Sequence, residues 1–301
     1  KIFSSVSAEI LSVTANYREI YGGFAASIRE RGLSHSLLPK DAFQLMLFGN
    51  SLNRNYNFDN LKGSGYWFRE YSLGYGFQFL RSGSSMAALG LNVKYLSGNA
   101  IYSFYDTEAG FVTTDTSLNG KMKFKALYSY NDYFENENSY EMFSSAGEGQ
   151  SFDVGITYIP NNIITISAAV LDLGYIIWKK NVYEIDTDTS GIIKNITDEN
   201  EYKPFEDIIK RHKNKILKVT TNLPLTINAG VTINLDKTGY FRDINSIPIS
   251  LSFEYSMMLK SQYILPESIH RYSIGLSLLP VKWLPIRAGY TFGYLPGRFS
   301  F

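Results

Sequence analysis

The sequence predicts an all-β protein, an antiparallel transmembrane β-barrel of about 12–14 strands with short loop helices. Three observations predict it. Apolar and polar residues alternate with period two in segment after segment, the pattern that puts successive side chains on opposite faces of a sheet. The polar faces are built mainly from Gly, Ser, Thr and Asn. The 301 residues contain no apolar run long enough for a transmembrane helix.

The alternation is cleanest in two segments. In residues 87–95, Ala87, Leu89, Leu91, Val93 and Tyr95 oppose Ala88, Gly90, Asn92 and Lys94. In residues 225–235, Leu225, Ile227, Ala229, Val231, Ile233 and Leu235 oppose Thr226, Asn228, Gly230, Thr232 and Asn234. The same scheme recurs at 6–17, 21–31, 71–79, 121–130, 152–158, 249–256, 271–278 and 286–293. Residues 163–179 are less polar and read as one long strand. A soluble β-sandwich also alternates, but its water-facing positions favour Lys, Glu and Thr. Small polar residues instead suit a crowded lumen, where curvature brings inward side chains together. The strand lengths suit a tilted membrane crossing as well. Leu89, Leu91, Val93, Ile227, Val231, Leu251 and Phe253 are therefore expected to face lipid. The lumen-facing candidates are Arg29, Glu70, Lys94, Lys121, Lys123, Lys125, Glu254, Arg271 and Arg287. They are expected chiefly to pair and fill the interior. A sharper alternative has Lys121, Lys123 and Lys125 lining a path for anionic solutes. Trp67, Tyr66, Phe68, Trp178 and Trp283 lie at strand ends, as an interfacial aromatic girdle requires.

Composition supports strands and turns, with 23 Tyr, 20 Phe and 24 Gly. The absence of Cys excludes disulfides, thiolate metal sites and Cys nucleophiles. A net charge of +1 gives no reason to expect a nucleic-acid partner. The chain is expected to form a single barrel domain over 1–301. The start reads directly as strand, without a signal peptide, and Arg298 to Phe301 read as the opening of another strand, so terminal segments are expected to be missing.

Two segments break the pattern. Residues 38–49 predict a short helix, with Pro39 and Asp41 in its first turn and Gly49 at its stop, acting as a plug or as a loop helix. Residues 184–218 predict a long polar loop, acidic over 184–202 and carrying a basic helix over 205–218. That helix could touch lipid phosphates or an acidic partner. The acidic stretch lacks the ligand spacing and Gly of a calcium loop.

Catalytic chemistry is not expected. His35, His212 and His270 are far apart and outside any metal-binding pattern. No nucleophile elbow occurs, and the neighbouring Ser268 and His270 do not make a catalytic pair by adjacency. No cofactor and no metal are expected.

Several stretches carry a resemblance. Phe24-Ala-Ala-Ser-Ile-Arg-Glu-Arg31, Leu38-Pro-Lys-Asp41, Phe48-Gly-Asn50 and Phe68-Arg-Glu-Tyr-Ser-Leu-Gly-Tyr75 come first. Leu91-Asn-Val-Lys-Tyr-Leu-Ser-Gly98 and Val170-Leu-Asp-Leu-Gly-Tyr-Ile-Ile-Trp-Lys179 follow, the last being the most specific. Together they resemble an uncharacterised family of Bacteroidetes-type outer-membrane β-barrels, related in architecture to FadL-like and PorV-like proteins. That resemblance implies the outer membrane of a Gram-negative, diderm bacterium, with membrane lipid and lipopolysaccharide as surroundings. FadL-like kinship implies a transporter or channel for small or hydrophobic solutes. PorV-like kinship implies a non-enzymatic accessory or scaffold barrel of a secretion or surface-attachment complex, with envelope proteins as partners. It transfers no catalytic or binding residues.

Overall fold

The computed structural model describes residues 1–16, 22–133, 144–193, 212–238, 248–281, 284–293 and 298–300. Trp283 and residues 205–211 of the expected basic helix lie outside them.

In chain order the elements begin with β1 (Ile2–Asn16), β2 (Gly23–Leu37), the helix α1 (Lys40–Phe48), β3 (Asn55–Asn57), β4 (Lys62–Ser82) and β5 (Ser85–Thr113). There follow β6 (Leu118–Tyr130), β7 (Gly147–Ile159), β8 (Ile164–Trp178), β9 (Tyr183–Ile193) and β10 (Lys213–Lys215). The rest are β11 (Val219–Asn222), β12 (Thr226–Asn234), β13 (Ile249–Met258), β14 (Ile269–Val281), β15 (Leu284–Gly293) and β16 (Arg298–Ser300). They form one 16-stranded antiparallel sheet curled into a half-barrel. Its wall runs β1-β2-β4-β5-β7-β8-β12-β13-β14-β15-β16.

The strand β5 organises the rest. It is 29 residues long, more than twice the length of its partner β7. Residues 86–98 pair with β7 and continue the wall. Asn99 is an extra residue opposite the step from Trp67 to Phe68, and beyond this bulge β5 leaves β7 and takes β6 as partner over 100–113. The sheet therefore forks at what we term the rim, opposite the base formed by the β4–β5 hairpin. The second branch, β5-β6-β9-β10, extends past the wall.

This branch corrects three expectations. Tyr183–Ile193 is not loop but strand β9, paired with β6. Its acidic residues alternate with Ile185, Thr187 and Thr189, and Asp186 and Asp188 lie opposite Lys125 and Lys123. Acid count alone suggested a loop, whereas cross-strand charge matching makes the segment a good strand. Lys213–Lys215 is likewise strand β10 on the edge of β9, not part of a basic helix. Finally, Lys121, Lys123 and Lys125 lie on β6, beyond the wall, and do not line a cation-rich lumen. Lys123 pairs with Glu108 at 3.3 Å and Lys125 with Asp186 at 3.7 Å.

The wall keeps its two faces apart. Cross-strand rows such as Leu73–Val93–Phe152–Leu173 and Ile166–Val231–Phe253–Ile274 lie on the convex face. Their side chains are exposed, Leu73 at 60% and Phe253 at 45%. From Tyr71 to Phe79 on β4, and over the matching rows of β5, β7, β8 and β12–β15, the convex face of the described residues carries no charge. Charge reappears just above the Tyr71–Tyr95 row, where Arg69 Nε donates to Glu30 Oε1 and Trp67 Nε1 to Glu30 Oε2.

Candidate functional site

The concave interior is layered from rim to base, and the inward residues of β4 mark the layers: Tyr66 and Phe68, then Glu70, Ser72, Gly74, Gly76 and Gln78.

The uppermost layer is apolar. Tyr66 and Phe68 pack with Leu33, Leu96, Ile101, Leu127, Ile176, Trp178, Val182, Leu223 and Ile264 in one buried cluster. These residues come from both branches of the fork and from rim loops. Burial of such side chains stabilises by roughly 1.5–3 kcal/mol each. Trp178 is fully buried and its Nε1 donates to Thr221 Oγ1 at 2.8 Å. Tyr66, Phe68 and Trp178 are thus core residues, which corrects the aromatic-girdle expectation for them. Strand-end position does not distinguish a ring turned inward under a cover from one turned outward. The segment 259–268 between β13 and β14 completes the cover. Ile264 O accepts from Ser64 Oγ at 2.6 Å, and Lys1 Nζ lies 2.6 Å from Glu267 Oε1, so the segment ties one side of the half-barrel to the other. Beside it Tyr105 meets Tyr263 edge-on at 6.2 Å. Burial first, then the neighbouring Tyr263 and acidic residues, push the Tyr105 phenol up to about 12.

Beneath the apolar layer lies a layer of charge. Arg31 on β2 donates to Asp172 on β8 through both terminal nitrogens, at 2.7 and 2.8 Å, and to Glu70 Oε2 at 2.9 Å. Lys94 Nζ on β5 lies 2.7 Å from Asp153 Oδ2 and 2.9 Å from Asp172 Oδ1. The Asp172 backbone N–H donates to Asp153 Oδ1 at 2.8 Å, and Asn92 Nδ2 to Asp153 Oδ2 at 3.1 Å. Arg31 also stands over the Phe68 ring at 5.3 Å, joining the two layers. Buried charges persist only when paired and hydrogen-bonded, and here each cation meets at least two carboxylates. Asp172 can do this because its backbone is bulged, with a φ of 61°. Strict alternation continued from Val170 would have turned it outward.

Below the charged layer the interior opens into a concavity of about 1080 Å³, lined by small residues such as Gly76, Gly90, Gly155, Ser167, Asn228 and Gly230.

Of the expected lumen residues, Glu70 and Lys94 are brought together in the charged layer. Arg29 lies beside it, opposite Glu70, with its Nε 3.1 Å from Glu9. Glu254 and Arg271 stand apart on β13 and β14, half-exposed and 3.8 Å from one another. Arg287, on β15 opposite Ser277, is exposed. Among the residues expected to face lipid, Leu91, Val93, Val231 and Phe253 are exposed on the convex face. Leu89, Ile227 and Leu251 share that face and are half-buried. Sequence reasoning put Arg31 on the polar face of residues 21–31 without singling it out, and it did not place Asp172 in the site. Their signal was available: a lone Asp within the apolar run 163–177 demands a buried partner.

The three carboxylates of the charged layer are taken up by Arg31 and Lys94, and among the described residues no group of three His, Cys, Asp or Glu could hold a metal ion. The helix α1 does not enter the concavity. Its Asp41 and Gln44 accept hydrogen bonds from Arg54, and Asp41 Oδ2 accepts from the Asn57 N–H at 2.8 Å.

No curated protein and no solved structure matches the chain. A family model does, over residues 1–298, and the chain belongs to that family, the family of unknown function DUF5723.

Proposed function

We propose that this protein is an outer-membrane β-barrel of a diderm bacterium that works as a non-enzymatic scaffold or accessory, docking a partner of protein secretion or surface attachment. The membrane part of this reading is supported by the uncharged convex face. On β4 it runs from Tyr71 to Phe79, which is on the order of 26 Å of strand and about 20 Å of depth at the usual tilt. A band of that height fits the hydrocarbon layer crossed by outer-membrane barrels.

The observation that carries the scaffold reading is the packing of the interior beneath the rim. Below the rim an apolar cluster covers the interior, and a layer of paired charges fills the concave side from β2 to β8. A conducting pore requires a continuous polar path, and the apolar cover lies over its mouth. Reconstitution of the full chain in planar bilayers tests this. The expected result is a silent membrane; stable, reproducible conductance steps would sink the scaffold reading.

A second reading is uptake of a small or hydrophobic solute, and the concavity of about 1080 Å³ favours it. That volume suits a lipid-sized ligand. Native mass spectrometry of protein extracted in mild detergent separates the two, since a stoichiometric apolar ligand belongs to uptake alone.

A further inference from the structure

The helix α1 is amphipathic but inverted. Its polar side faces the protein, where Asp41 and Gln44 are held by Arg54 and by the Asn57 N–H. Its apolar side faces outward: Phe43, Met46, Leu47 and Phe48 are 39%, 66%, 73% and 81% exposed, and Leu52 just beyond is 59% exposed. No residue of the helix is buried. A surface helix ordinarily turns this stripe to the core. An exposed contiguous apolar patch of this kind marks an interaction site.

The patch is also held rigidly. Tyr56, fully buried, donates its hydroxyl to Gly49 O at 3.0 Å and accepts the Ser51 N–H at 2.9 Å. The Tyr56 ring stacks on Phe111 at 5.2 Å, and Arg54 covers it at 5.0 Å. Order that exists before binding is not lost on binding, so it favours a docking role.

We infer that this ridge inserts into an apolar groove of a partner protein, with Phe43, Met46 and Leu47 as anchors at i, i+3 and i+4. Three arguments select that occupant. The adjoining β3 pairs with residues 110–112 of β5, roughly 50 Å of strand above the Tyr71–Tyr95 row, out of reach of the bilayer that row borders. A nine-residue helix is only about 14 Å long, and two copies side by side bury far less than the roughly 800 Å² per partner of a stable dimer. A groove, in contrast, wraps both flanks of the ridge. Lys40, exposed at the start of the helix, makes no ion pair among the described residues, so the groove carries a carboxylate at its rim. This inference names the docking ridge of the scaffold reading and rests on it in requiring a partner and in the membrane position of the Tyr71–Tyr95 row.

Photocrosslinking in the producing cells tests it, with the full chain carrying Phe48→benzoylphenylalanine. The expected result is a single adduct with another protein, attached within an apolar groove flanked by Asp or Glu. That protein, once purified, should bind the full chain in lipid nanodiscs, and Leu47→Asp and Lys40→Glu should each weaken binding, the first at least tenfold. An adduct of twice the chain's mass, a lipid adduct, no adduct, or unchanged binding by Leu47→Asp would overturn the proposal. Bilayer conductance is independent of these outcomes. Conductance alongside the expected adduct would remove the scaffold reading and leave the ridge, whereas silence without an adduct would do the reverse.

Discussion

Arg31 and Asp172, 141 residues apart in the chain, form a two-pronged ion pair across the interior, with N–O distances of 2.7 and 2.8 Å. Planar guanidinium and carboxylate match in this geometry, which a lysine cannot reproduce. The pair links β2 to β8 directly over the concave side, while the hydrogen-bonded path between them runs through β4, β5 and β7. It therefore fixes curvature as well as charge.

Removing one partner should be costly. Asp172→Ala leaves Arg31 and Lys94 short of a shared carboxylate in a largely buried layer. The expected destabilisation is about 3–5 kcal/mol. Arg31→Lys keeps the charge, loses the fork and should cost less. Urea midpoints of the folded protein in lipid vesicles, read by heat-modifiable gel mobility, check both. Equal effects from the two variants would count against the two-pronged geometry as the source.

Exposed pairs on the extension should behave differently. Lys125 and Asp186 are 42% and 61% exposed at 3.7 Å. Lys125→Ala is expected to change stability by no more than about 1 kcal/mol, and the effect should shrink as salt rises. The same unfolding measurement at two ionic strengths checks it.

The convex face offers a third test. Leu91 is exposed at the centre of the uncharged belt, 46% accessible. Leu91→Arg should impair assembly into membranes by about 2–4 kcal/mol if this face meets lipid at mid-depth. Ala88→Arg, on the same strand and facing inward into the open concavity, controls for charge alone. Normal insertion of the Leu91 variant would argue that the belt meets something other than lipid.

Packing at the fork gives a fourth. A Cβ placed on Gly98 would lie 2.6 Å from Trp178 Cζ3, an impossible contact without a shift of the indole. Gly98→Ala should therefore destabilise by roughly 1–3 kcal/mol through overpacking. Trp178→Ala should cost about 3–5 kcal/mol through the cavity it leaves. Combining the two should cost less than the sum, since the second change relieves the first. Strict additivity in the double variant would show that the two positions do not press on each other.

How much was legible in advance depended on the range of the interaction. Residues 87–95 and 225–235 announced their strands because alternation is a local property, and Pro39 and Gly49 bounded the helix for the same reason. Tyr183–Ile193 did not announce itself, because its strand character depends on Lys123 and Lys125 lying opposite Asp188 and Asp186. Trp178 and Tyr66 looked like girdle residues until β8 and β4 were seen to turn them under the rim cover. Asp172 stood in the sequence as an anomaly, but its partner lies 141 residues away.

By itself the sequence determined the all-β class, the faces on which most wall residues fall, and the segregation of charge from the apolar face. These follow from a period of two, which any extended segment obeys wherever it lies. Only the tertiary structure decided that β5 forks at Asn99, that an apolar cover lies over a charged layer between β2 and β8, and that α1 turns its apolar side outward. Each of those depends on which strand comes to lie beside which, and pairing is a property of the whole folded chain rather than of any stretch within it.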